Sequence, residues 1–251
     1  MTSELFDLSD FPSHGRIFRA PERVLLADTG PDGSARLDAI SRYLHDIATL
    51  DVEDAGLTAN FLWILRATSL TIAARPTYLQ PLSIETACSG YGKAWAERRT
   101  RIIQGTTLCV DAAAIWVNID SVGGRPRSLD PSFTAVYGPS AKGRHVSART
   151  HLRRPDRDPD HQFSYEIRVT DLDIMGHVNN AVHSAFLEQA FFEIDLDSAS
   201  ELRATRIEFG EALEYGSPVH VSLWRSESHI AATLSQNDKV RSQFLALLAS
   251  S

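Results

Sequence analysis

The chain spells one order of elements twice, and a repeat of that kind limits the folds open to it more than any local signal does. In each half, strand-like residues lead into an amphipathic helix, and several β-branched or aromatic segments follow. The first helix signal is LDAISRYLHDIATL, 37–50, where Leu37, Ile40, Leu44, Ile47 and Ala48 recur at helical spacing. The second is NNAVHSAFLEQAFFEI, 179–194. There Val182, Phe186, Ala190 and Ile194 form one stripe, Leu187 and Phe191 widen it, and Asn180, Ser184 and Glu188 form a polar edge. A shift of 142 positions pairs AISRYLHDIA with AVHSAFLEQA, so that Leu44 meets Phe186 and Asp46 meets Glu188.

One helix beside a mostly antiparallel sheet, made twice, is an α+β layout. A single unit would leave one sheet edge open and one helix face half covered. Two units paired edge to edge remove both faults. The expected division is an N-terminal unit over 1–137, a linker over 138–160 and a C-terminal unit over 161–251. The linker, GPSAKGRHVSARTHLRRPDRDPD, is rich in Gly, Pro and charge.

Composition enters as a set of exclusions. With 251 residues and 43% hydrophobic content, the chain can build a sizeable core. A net charge of −7 argues against a broad nucleic-acid-binding face. Positive charge gathers in 142–157, six Lys/Arg against one Asp, which reads either as a solvated linker or as a dock for an acidic partner. Cys88 and Cys109 lack metal or redox spacing and are expected as small buried groups in a reduced, cytoplasmic protein. The segment MTSELFDLSDF has no apolar leader region, and no apolar run approaches the roughly 18–20 residues of a membrane span. Neither a G-x-S-x-G elbow nor an H-E-x-x-H metal motif occurs. Trp63, Trp95, Trp116 and Trp224 are expected in the core or in a tunnel wall.

Chemistry concentrates in DLDIMGHVNNA, 171–181, at the mouth of the second helix. Amides at a helix start lack intrahelical partners and carry partial positive charge, so they can hold an oxyanion. Gly176 lets a substrate approach the backbone. Asp173 is placed to act as general base or nucleophile, and His177 to orient water or substrate. The same residue types also serve as turn and capping groups. The repeat bears on the choice, because the shift of 142 sets Pro31 and Ala35 against Asp173 and His177. Both halves need a helix start, yet one alone carries the carboxylate and the imidazole.

DLDIMGHVNNAVHSAFLEQA resembles the helix-mouth motif of hotdog-fold thioesterases. The duplication, with RPTYLQPLSIETACSGYGKAWAERRTRI, AIWVNID and GGRPRSL, resembles the double-hotdog acyl-acyl-carrier-protein thioesterases of plants and bacteria over about 20–250. That resemblance implies two tandem hotdog units, each an antiparallel sheet wrapped around a central helix. It implies hydrolysis of long-chain acyl thioesters to free fatty acids without metal or organic cofactor. The thioester would be borne by acyl carrier protein or coenzyme A, and the chain would be a pseudo-dimeric monomer or a homodimer. The family's site combines an Asp, an Asn two residues on, a His two further, and a Glu on a following strand. Asp173 and His177 match. Met175 stands at the Asn position, and Glu211 is the nearby carboxylate, although a gap-free count puts Ala212 in its place. The oxyanion and substrate contacts would come from Gly176, Val178, Asn179 and Asn180, with Asn179 or Asn180 a stand-in for the missing amide. A tunnel in the first unit would hold the acyl chain. Arg98, Arg99, Arg153 and Arg154 are the expected carrier-docking cations. Two rival readings are a hotdog enoyl-thioester hydratase and a non-catalytic acyl-thioester binder.

Overall fold

Both helix signals become the cores of mirrored halves. In the computed structural model, residues 3–59 and 61–249 are described; positions 1, 2, 60, 250 and 251, which include the end of FLALLASS, lie outside them. The first half holds β1 (Phe18–Arg23), α1 (Leu37–Asp54), β2 (Leu62–Ile72), β3 (Pro81–Tyr91), β4 (Trp95–Gln104) and β5 (Thr107–Ile119). After α2 (Pro131–Ala141) come β6 (His161–Tyr165), α3 (Asn180–Phe192), β7 (Leu202–Phe209), β8 (Val219–Arg225), β9 (His229–Gln236) and β10 (Lys239–Leu248). The strands form one antiparallel sheet in the order β1-β3-β4-β5-β2-β7-β10-β9-β8-β6. Each half of that order is the other reversed, which is the signature of tandem hotdog units related by a pseudo-twofold axis. The halves join where β2 pairs β7, from Ala67 opposite Glu208 to Thr71 opposite Ala204. The edge each unit would expose alone is thereby used up.

α1 and α3 run antiparallel against the concave face of the sheet. Ser41 Oγ meets Ser184 Oγ at 3.1 Å, and the Leu37 amide reaches the Glu188 carboxylate at 2.9 Å. The polar edge of α3 thus faces the partner helix, not solvent. The stripe foreseen on α1 is buried throughout, and Phe186, Leu187, Ala190 and Phe191 are buried on α3.

The structure corrects the register of the repeat by one residue. Leu37 and Asn180 both begin helices, and Gly33 and Gly176 both take positive φ (79° and 76°) in the preceding turn. Ser41 and Ser184 meet at the axis. Each pair lies 143 positions apart, not 142. The apolar stripes are wide enough to tolerate a slip of one position, so the helices alone could not fix the register. With the corrected register, Gly30 and Ser34 stand opposite Asp173 and His177, and the first half still lacks both functional groups.

Two further features escape sequence patterning. α2 starts at Pro131 behind an Asp130 cap that accepts from the Ser132 amide at 2.9 Å, and it buries Phe133 and Tyr137. Gly138 and Pro139 interrupt its periodicity, and its Phe, Thr, Val and Tyr favour strands. The backbone of the basic stretch 142–157 is tied to the sheet at a few points, while its Lys and Arg side chains stay exposed. Trp95 Nε1 donates to the Val146 carbonyl at 2.8 Å, and the His151 and Leu152 amides donate to Glu208 at 2.8–2.9 Å. Leu152 packs with Phe6, Ala204 and Leu245 on the sheet face away from the helices.

His183 occupies the centre of the buried α3 face, edge-on to Phe209 with ring centroids 5.2 Å apart, its Nδ1 3.0 Å from Ser242 Oγ. Burial lowers its pKa from 6.5 to about 4. The unfolded chain therefore takes up a proton below pH 6.5 that the folded chain refuses until near pH 4. Stability is full above pH 6.5 and falls across that window by about 3 kcal/mol from this residue. Urea unfolding of the wild type and His183→Leu at pH 7 and pH 4.5 checks this. The variant should lose clearly less stability on acidification, and equal losses would refute the assignment.

Candidate active site

The loop ahead of α3 is folded by its own polar groups. Asp173 Oδ1 accepts from the Met175 amide at 2.8 Å and the His177 amide at 3.3 Å. The Asp173 amide donates to the His177 carbonyl at 2.8 Å, and the Gly176 amide to the Asp173 carbonyl at 3.0 Å. A bridge between Leu172 and Val178 closes the loop. The turn needs left-handed backbone at Gly176, where a side chain would be strained. Asp173 is half-buried, and its Oδ2 has no partner among the described residues. Met175 is exposed and offers water no hydrogen bond. The His177 side chain is also exposed.

Amide bookkeeping narrows the oxyanion donors. The Gly176 amide is used inside the turn, the Val178 amide donates to Leu213 at 3.0 Å, and the Asn179 amide donates to Asp171 at 2.9 Å. Asn179 caps α3, its Oδ1 accepting from the Ala181 amide at 2.9 Å. Asn180 is the first residue of α3, and its N–H has no partner among the described residues. Of the four positions expected to hold an oxyanion, it alone offers a free amide. Val178, buried in the core, offers neither amide nor side chain.

The matching amide in the first half is sealed. The Leu37 N–H donates to Glu188 Oε2 at 2.9 Å. Ser198 Oγ donates to the same carboxylate at 2.6 Å, and the buried Arg75 guanidinium lies 3.5 Å from it. A carboxylate from α3 thus sits where an oxyanion would sit at the start of α1. His45 lies 143 positions before Glu188 and is its counterpart in the first half. His45 and Asn180 line a narrow gap between the helices together with Ser41 and Ser184.

Other expected residues fall elsewhere. Glu211 is exposed and paired to Arg241 at 2.6 Å, with Lys239 at 3.7 Å. It makes no contact with Asp173 or His177 among the described residues, because it follows the end of β7 beside β10. Glu214 instead lies opposite His177 in an antiparallel bridge. The Val178-to-Leu213 bond makes this a non-hydrogen-bonded pair, whose side chains leave the same face close together. A count of turn residues after β7 without pairing could not reveal that. Arg98 and Arg99 are corrected outright as docking residues. Arg98 is buried against Asp51 and over the Tyr137 ring, 5.5 Å to its centroid, and Arg99 is 1% exposed and paired to Asp111. β4 is covered on both faces, by α1 within and by the N-terminal segment without, where Arg101 stacks on Phe11 at 4.5 Å. Arg153 and Arg154 are exposed.

A wider cavity of about 180 Å³ lies in the first half, along the C-terminal part of α1. Its wall includes Ala48, Val52, Phe61, Trp63, Ala96 and Trp116, and Arg98, Tyr137 and Cys88 supply polar atoms. Asp173 and His177 do not line it. The link is His45, whose ring meets Trp116 edge-on at 5.7 Å and also lines the gap that reaches Asn180. Burial pushes the Cys88 thiol up to about 11, so it is a wall group and not a nucleophile. No helix among the described residues is long and apolar enough to cross a membrane.

A family model for the acyl-ACP thioesterase N-terminal domain matches residues 15–137, and one for the C-terminal domain matches residues 155–244. The palmitoyl-acyl carrier protein thioesterase of Arabidopsis thaliana chloroplasts is 22% identical over 208 residues, covering 74% of this chain and 50% of that protein. The 12:0-ACP thioesterase of Umbellularia californica superposes with a TM-score of 0.76 at 16% identity, covering 96% of this chain and 100% of that one. An acyl-ACP thioesterase from Bacteroides thetaiotaomicron superposes with a TM-score of 0.73 at 16% identity, covering 93% and 98%.

Proposed function

The chain belongs to the acyl-ACP thioesterase family and hydrolyses acyl thioesters, and from that premise we propose that the reaction runs at the mouth of α3. The observation that carries this reading is the asymmetry of the helix starts: Glu188 fills the place beside Leu37, while the Asn180 N–H is left free. The thioester oxygen accepts from that amide at the positive end of α3. Asp173 takes a proton from water as the water oxygen bonds to the acyl carbon; in the alternative route its carboxylate attacks that carbon, and once the thiol has left, water hydrolyses the acyl–aspartate anhydride to the free acid. In both routes the C–S bond breaks and the thiol leaves with a proton. His177 orients water or substrate, and Glu214, not Glu211, supplies the second carboxylate beside it.

The substrate class proposed is a long-chain acyl group on acyl carrier protein. The apolar cavity in the first half supports an acyl site there, reached past His45 and Trp116. Arg153 and Arg154 are the proposed docking cations for an acidic carrier on a chain whose own net charge is −7. The pairing of β2 with β7 supports a pseudo-dimeric monomer. Two unpaired buried cysteines fit a reducing cytoplasm.

Thiol release from a panel of acyl-carrier-protein and acyl-CoA substrates tests the reading. The carrier-borne long chains should give the highest kcat/KM, and a preference for short acyl-CoA would overturn the substrate assignment. Ala96→Phe, which narrows the cavity, should move the preference toward shorter chains. Each methylene it excludes forfeits about 0.8 kcal/mol, or roughly fourfold in kcat/KM. An unchanged chain-length profile would place the acyl group elsewhere.

A further inference from the structure

The narrow gap between α1 and α3 contains a polar side chain with no structural task. His45 lies on α1, a helix of the half that carries neither Asp173 nor His177. Its imidazole has no hydrogen-bond partner among the described residues, and its one ring contact is the edge-on Trp116. His45 is partly exposed and lines the gap, while the Trp116 Nε1 of the ring it packs against is buried and unpaired, a costly arrangement that marks a place where something else supplies the partner.

The pseudo-twofold identifies what that something is. Around the axis at Ser41 and Ser184, the Leu37 amide faces Glu188; the residue matched to Glu188 is His45, and it lines the same gap as Asn180. At the α1 start, helix amide and facing side chain form a closed donor–acceptor pair. At the α3 start the matched residue is not an acid. A carboxylate there would repel an anionic oxygen, whereas a neutral imidazole can present an N–H to it. Partial burial between the helices holds the His45 pKa down, to about 4, so the ring is neutral near pH 7 and carries one N–H that can donate.

Resting on the reading of the α3 mouth given above, we propose that His45 is a catalytic residue of thioester hydrolysis, its ring N–H and the Asn180 N–H together holding the thioester oxygen. As water adds and the C–S bond breaks, negative charge develops on that oxygen and both hydrogen bonds tighten. No proton leaves His45. Trp116 fixes the ring plane and leads from this pair into the acyl cavity.

Kinetics of thiol release in the full chain test this with His45→Leu and His45→Gln, beside Asp173→Asn. Leu matches the apolar surroundings but cannot donate; Gln keeps a donor. The expected result is a fall in kcat of about 100-fold for His45→Leu with KM nearly unchanged, and within about tenfold of wild type for His45→Gln. A role in packing alone gives the reverse order, so His45→Leu equal to or faster than His45→Gln overturns the proposal, whatever the stability of either variant. Failure of the α3-mouth reading would look different: Asp173→Asn would then retain wild-type turnover.

Discussion

Asp173→Asn should lower kcat for thiol release by about a thousandfold while leaving the melting temperature nearly unchanged. The reason lies in the two jobs of this side chain. Oδ1 holds the turn through the Met175 and His177 amides, at 2.8 and 3.3 Å. An asparagine carbonyl oxygen accepts the same two bonds, so the loop keeps its shape and Gly176 its left-handed backbone. What disappears is the negative charge on the atom that has no internal partner. Asp173→Ala is the weaker test, since it would also undo the turn. A kcat within tenfold of wild type in a folded Asp173→Asn would mean that the carboxylate is a turn former and the base lies elsewhere, with Glu214 the first alternative.

The largest stability effect is expected at Asp51. This residue, 1% exposed near the end of α1, accepts from Arg16 and from Arg98, which lines the cavity of the first half. Asp51→Ala leaves the Arg98 charge buried without a counter-ion. Breaking such a pair costs about 3–5 kcal/mol, and in a chain of this size that lowers Tm by about 10 °C. Asp51→Leu combined with Arg98→Met removes both charges and should recover most of the loss, because the pair itself contributes little beyond mutual neutralisation. Thermal melts of the single and double variants decide it. Additive losses in the double variant would show that each group is held by partners other than the pair.

The architecture was legible because it rests on two redundant signals, helical spacing and duplication. Every apolar position named on α1 is buried. The site was legible only in part, and the failures share a cause: a polar residue's partner is set by tertiary pairing, which leaves no local pattern. A repeat register wrong by one position paired Asp46 with Glu188 and hid His45. Counting from the turn glycines, Gly33 and Gly176, would have found it, since left-handed backbone is a stricter marker than an apolar stripe. Arg98 and Arg99 of β4 read as docking cations because strand alternation presumes one wet side; here both sides are covered. Of the four mouth positions expected to offer oxyanion contacts, turn and bridge formation consume every amide but that of Asn180.

The sealed start of α1 carries a lesson about gene fusion. In an assembly of two identical chains, any substitution is inherited by both copies, so a glutamate that stoppers one doorway stoppers its twin. Joining the halves in one polypeptide frees them to differ: Glu188 with Arg75 closes the start of α1, while its counterpart His45 leaves the start of α3 unstoppered. The asymmetry leaves one helix start open and turns the other into a structural fastener between the two halves.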